Sequence, residues 1–174
     1  MSSFDILLQR NTIFIIVCLV LSYGFISFLP STLPRSVSIL MMLFSLDMAK
    51  GLDTSIGVPP FDFYNTNIYP FFDIADWLTW CLYPVFGYLF VYYYHKLRIY
   101  GIMIPLYILI CSLMGTVYEA LNVYFDVFQY HQWRLSYSFC IYLMVQTLSI
   151  ILFTRLKKKW LEQQNQLIRR INRN

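Results

Sequence analysis

Residues 39–53, ILMMLFSLDMAKGLD, begin as a membrane span and then acquire Asp47, Lys50 and Asp53. Whether this segment crosses a bilayer decides how many times the chain does so. Only Val37 to Leu46 is strongly apolar, and apolar runs of about 10–14 residues are more often re-entrant or interfacial than spanning. Asp47 and Lys50 near the centre of a span cost roughly 5–7 kcal/mol together, against roughly 2.5–5 kcal/mol returned by the large apolar residues before them. The segment is marginal alone and feasible within a bundle. Asp47, Lys50 and Asp53 stand three apart and can pair along one side. Asp47, Lys50, Gly51 and Thr54 fall on one helical stripe, which is expected to face the interior of the bundle.

Four other runs need less argument. They are 12–29, closed by Pro30, then roughly 75–95, 101–121 and 137–154, each near the about 20 residues a span requires. Pro84 inside the second of these is tolerable in lipid, where neighbouring helices satisfy the freed carbonyl. The first run exceeds a signal-peptide core of roughly 7–15 residues and lacks a small-residue cleavage site, so it reads as a retained span.

The whole composition agrees. Of 174 residues, 59% are hydrophobic, 20% aromatic and only 13% charged, where soluble proteins carry roughly 25% charged residues. Mean hydropathy is +0.56. The expected fold is all-α: a polytopic transmembrane helix bundle over 1–155, with five spans at about 12–29, 37–56, 75–95, 101–121 and 137–154. Four spans with a re-entrant 37–56 are the alternative. A basic amphipathic cytoplasmic tail occupies 156–174. Charge asymmetry places the C-terminus in the cytoplasm but cannot choose the number of spans. Both arrangements put ten of the thirteen Lys/Arg inside, since only Arg10 and Arg35 exchange sides.

Three constellations are candidates for function. The first is an intramembrane polar cluster of Asp47, Lys50, Asp53, Glu119 and Gln146. Ser112, Gly115, Thr116 and Glu119 share one helical face; Ser138, Tyr142, Gln146 and Ser149 share another. Small and polar residues at these spacings serve helix contact in lipid. Intramembrane ionisable groups are also candidates for a solute, ion or proton path. The second constellation is a set of outer-face acids, Asp62, Asp73, Asp76 and Asp126, among many aromatic side chains. A hard cation wants several oxygens at once, but no calcium-loop spacing occurs, and an interfacial aromatic belt accounts for the Trp and Tyr residues. The third is the tail. Lys157, Lys158, Lys159, Arg169 and Arg170, interleaved with Trp160 and leucines, suit a helix lying on anionic lipids.

Catalytic and nucleotide-binding motifs are missing: there is no GxSxG, HExxH, P-loop or GxGxxG. Cys18, Cys81, Cys111 and Cys140 form no CxxC pair, and His95 and His131 stand alone, so neither a metal nor a cofactor is expected. Nor does the tail's charge alone argue for nucleic acid.

LDTSIGVPPFDFYNTN (52–67) and YEALNVYFDVFQYHQWRLSYSF (118–139) resemble stretches of small polytopic membrane proteins, uncharacterised, of spore-forming low-GC Gram-positive bacteria. The resemblance implies a bacterial cell-membrane location and carries over no site residue. The expected role is that of a non-enzymatic accessory or structural membrane protein, with the bilayer, anionic lipids and a membrane-protein partner or second copy as its contacts. The alternative is a small solute or cation carrier using the Asp/Lys/Glu cluster. A dry, packed cluster favours the first and a water-accessible path to Asp47 or Glu119 the second.

Overall fold

The structure, a computed structural model, describes residues 9–57, 62–66 and 74–172. Within these residues five helices follow one another in the order α1 (Arg10–Ser27), α2 (Arg35–Ile56), α3 (Ile74–Lys96), α4 (Met103–Tyr124) and α5 (Leu135–Ile171). Two three-residue strands, β1 (Tyr64–Thr66) and β2 (Phe128–Tyr130), interrupt the series. The helices lie where the apolar runs are. α1, α3, α4 and α5 are each long and apolar enough to cross a membrane. α2 is a continuous 22-residue helix, about 33 Å long, rather than a short half-turn in and out. Its charges keep it out of the same class.

Consecutive helices alternate in direction. Phe14, near the start of α1, stacks on Phe125, just past the end of α4, with centroids 4.3 Å apart. Arg10 donates to the Tyr124 carbonyl at 3.0 Å. The start of α1, the ends of α2 and α4, the starts of α3 and α5 and both strands therefore share one end of the bundle. The turn before α2, the turn before α4 and the long extension of α5 share the other.

Two clusters hold the layers together. Leu33, Val37 and Met41 pack with Tyr88, Val91, Tyr92 and Phe153, joining α2, α3 and α5. Ile15, Ala75, Leu82 and Val127 join α1 and α3 beneath the strand-bearing end. Small residues permit the closest approach. A Cβ at Gly87 would lie 2.3 Å from Ser45 Cβ, and Ser45 donates to the Tyr83 carbonyl at 2.8 Å. In lipid, where apolar burial gives little drive between helices, such close contact and added hydrogen bonds are the main adhesive.

β1 and β2 are antiparallel, with Tyr64 opposite Tyr130, Asn65 opposite Gln129 and Thr66 opposite Phe128. The Phe63 carbonyl accepts from three successive backbone N–H groups, those of His131, Gln132 and Trp133, at 3.0–3.2 Å. This small cap has no counterpart in the sequence reading. There both segments simply lie between the five expected spans, among the aromatic side chains of the outer face. Neither triplet shows alternation long enough to read as a strand, and each needs the other, some sixty residues away, to satisfy its backbone.

The tail also differs from expectation. α5 runs unbroken for 37 residues, so 156–172 continues the last helix instead of forming a separate one lying flat. No Gly or Pro interrupts Leu135–Ile171, and nothing local turns the chain. Lys157–Lys159 follow directly on the bundle. Arg169 and Arg170 lie about 15–20 Å further along the helix, in a stretch exposed on every side.

Candidate functional site

The acids at the strand-bearing end are held by hydroxyl groups. Tyr64 on β1 donates to Asp53 Oδ1 at 2.7 Å, and Tyr83 on α3 donates to Asp53 Oδ2 at 3.0 Å. Glu119 on α4 accepts from Tyr130 on β2 and from Ser138 and Tyr142 on α5. Trp133 Nε1 in turn donates to Ser138 Oγ at 2.7 Å. Every helix but α1, and both strands, thus contribute to one cluster. Glu119 is 7% exposed and Ser138 4% exposed. Among the described residues, the partners of Asp53 and Glu119 are hydroxyls, with no Lys or Arg paired to either.

A carboxylate accepts up to about four hydrogen bonds, and bonds to an ionised acceptor are about twice as strong as neutral ones. The cluster fastens the cap to the bundle at two points. Burial and the neighbouring acids push the Tyr64 and Tyr130 hydroxyls well above their ordinary range, in both cases with burial as the larger cause. Both therefore stay protonated, as donors to the acids.

The expected helix contact lies in the same register. Ser112 donates to Gln146 at 3.1 Å, Gly115 packs on the Tyr142 ring, and Glu119 meets Tyr142 and Ser138 one and two turns further. The polar faces of α4 and α5 read from the sequence are thus the faces that touch.

Asp47 and Lys50 do not join this cluster. Three-residue steps fall about 60° short of a full turn, so over six residues Asp53 drifts off the side of α2 that Asp47 and Lys50 share. Asp53 turns inward and Asp47 is exposed. Lys50 Nζ sits over the Trp80 ring, 3.5 Å from its centroid. The i+4 row Val37, Met41 and Ser45 faces the bundle instead. The expectation of an Asp47–Lys50 pair buried in the bundle is corrected accordingly. These two residues line an open groove of about 550 Å³ with Leu40, Leu43, Phe44 and Leu46.

The outer-face acids do not gather. Asp76 is buried in the first turn of α3, while Asp62 and Asp126 are exposed and both have positive φ, 45° and 60°. Asp tolerates that conformation better than most residues, and Asp126 follows Phe125, the C-cap of α4, at the position where such a residue stops a helix. Asp73 lies outside the described residues. Among the described residues, no three His, Cys, Asp or Glu side chains come together as a metal would require. Tyr64, Tyr83 and Tyr130, central to the cluster, are the residues a sequence reading passes over. Two of them look like members of an aromatic belt, and nothing local shows that they turn inward.

The fold and site define an all-helical bundle whose four apolar helices suit a membrane. No protein-family model matches the chain, and no curated protein or solved structure matches it.

Proposed function

We propose that the protein is a multi-pass component of the bacterial cell membrane. It crosses five times, with the strand-bearing end outside and the C-terminal tail in the cytoplasm. It is not an enzyme. It works as an accessory or structural protein that assembles with a second copy of itself through the outer face of α2.

The observation that carries this reading is the exposure of Asp47 near the middle of α2. A charge at the centre of a span costs about 2.5–3.5 kcal/mol in lipid. Leu40, Leu43, Asp47, Lys50 and Thr54 follow a three-four spacing along the helix, which is the seam of a two-helix contact. The seam carries an acid and a base one turn apart. A two-fold axis along the membrane normal brings Asp47 of each copy beside Lys50 of the other, the self-complementary contact of a symmetric dimer. The enclosure of Glu119, with three hydroxyl donors upon it, supports a packed structural cluster over a solute path.

A photo-crosslinker at Leu43 in intact membranes tests the reading. An adduct of twice the chain's mass is expected. Asp47→Lys should weaken it, and Asp47→Lys with Lys50→Asp should restore it. An adduct to a different protein makes that protein the occupant, and no adduct leaves the face to lipid; either result overturns self-assembly. A proton or cation flux in proteoliposomes that depends on Glu119 replaces the structural role with that of a carrier.

A further inference from the structure

At the end of the bundle away from the strands, the turn before α2, the end of α3 and the start of the α5 extension line a half-open pocket of about 280 Å³. Ser31, Thr32, Leu33 and Pro34 form one wall, and His95, Lys157 and Trp160 the other. We propose that this pocket binds a phosphate group, and that its ligand is the headgroup of an anionic phospholipid. The location at the cytoplasmic leaflet rests on the topology proposed above; the anion chemistry does not.

Four features point to an anion. First, Lys157 Nζ lies 3.1 Å from His95 Nδ1. An ammonium group has only donors, so the imidazole accepts at Nδ1 and carries its proton on Nε2. Lys157 keeps two further N–H groups and His95 one, and no carboxylate pairs with either among the described residues. Second, Ser31 and Thr32 add two hydroxyl donors. Third, α2 starts here without a side-chain cap and without an acid in its first turn. Its free N–H groups and positive dipole end favour a bound anion. Fourth, Arg35, Lys96, Arg98 and Arg155 flank the pocket in sequence. The nearest acid along the chain, Glu162, is exposed and on another side of α5.

Trp160 and Leu33 favour a lipid over a soluble ion. Trp160 packs against the apolar cluster formed by Leu33, Tyr92 and Phe153, so one side of the pocket is continuous with the apolar part of the bundle. Trp at such a level commonly marks the interface between headgroups and acyl chains. The pocket is also distinct from the diffuse basic surface of the tail. Lys157 is partly buried and turned into it, whereas Lys158 and Lys159 are exposed.

The test is a thermal titration of the purified full chain in detergent with phosphatidylglycerol, phosphatidylcholine or inorganic phosphate, since a ligand of the folded state raises Tm. Phosphatidylglycerol should stabilise the wild type and phosphatidylcholine should not. Lys157→Gln and His95→Gln should each weaken the response about tenfold, the size of one charge-assisted contact. Ser31→Asp, which puts a carboxylate in the pocket and leaves the basic residues in place, should do the same. Lys158→Gln with Lys159→Gln should change it little. A response to inorganic phosphate that is lost in Lys157→Gln supports the anion site and makes its ligand soluble. Equal loss in the Lys158/Lys159 double variant, or an unchanged response in all three pocket variants, overturns the pocket. Neither outcome touches the α2 seam, which the crosslinking reads separately.

Discussion

Tyr64 and Tyr130 stand opposite one another across the β1–β2 pair, and each gives its hydroxyl to a different acid, Tyr64 to the half-buried Asp53 and Tyr130 to the buried Glu119. Directly opposed residues of an antiparallel pair point to the same face, so one rung of a very short ladder reaches both α2 and α4. The strands are too short to be stable alone. The acids hold them in place, and they in turn cover the acids.

Tyr64→Phe and Tyr130→Phe should therefore each cost about 1.5–3 kcal/mol, the worth of a hydrogen bond to a charged group. Glu119→Ala should cost more than either, since it strands three hydroxyl donors at once. Thermal unfolding in detergent measures this. Phe variants as stable as the wild type would show that the cap is held by its backbone and aromatic contacts alone.

The same bonds set the alkaline behaviour. The folded state holds the Tyr64 and Tyr130 protons above their ordinary value of 10.0. Their contribution is complete below about pH 10, where the unfolded chain is also protonated, and is lost as pH rises through the higher folded values. The contribution of these two hydroxyls should be level up to about pH 10 and then fall. The Tyr64→Phe, Tyr130→Phe double variant should fall less steeply. Parallel curves for wild type and variant would mean that other groups control the alkaline limb.

Gly87 should tolerate no side chain. Gly87→Ala puts a Cβ 2.3 Å from Ser45 Cβ and 3.3 Å from the Met41 carbonyl oxygen, so α2 and α3 must separate, at about 1–3 kcal/mol. Gly24→Ala, with nothing within 4 Å, should be neutral or stabilising by up to about 1 kcal/mol. A silent Gly87→Ala would show that the two helices are loosely packed.

Ser31 distinguishes the two topologies directly. With Cys18, Cys81, Cys111 and Cys140 replaced, a Ser31→Cys variant should react with impermeant reagent only from the cytoplasmic side. An Asp62→Cys variant should react only from outside. Labelling of both from outside would return α2 to a re-entrant role and separate Ser31 from the cytoplasmic His95 and Lys157, which overturns the phosphate pocket.

Much of this was legible in the sequence, for a physical reason. Hydrocarbon admits only backbone that satisfies itself, so apolar runs of the right length declare helices without any knowledge of their neighbours. The α1, α3 and α4 runs are found to within a few residues. The facing stripes Ser112–Gly115–Glu119 and Ser138–Tyr142–Gln146 were equally legible, because helical spacing alone places them. α2 and the cap were different. Whether Asp47, Lys50 and Asp53 share a side depends on a drift of about 120° over six residues and on which side α3 occupies. Tertiary packing decided that Asp53 turns in and Asp47 out. Tyr64 and Tyr130 carried no local mark of their role, since a three-residue strand gains its hydrogen bonds only from a partner far along the chain. The sequence by itself determined the helices and the faces that small and polar residues reserve for contact. Only the tertiary structure decided which acids meet which hydroxyls, because that depends on the relative rotation of packed helices, which no single helix encodes.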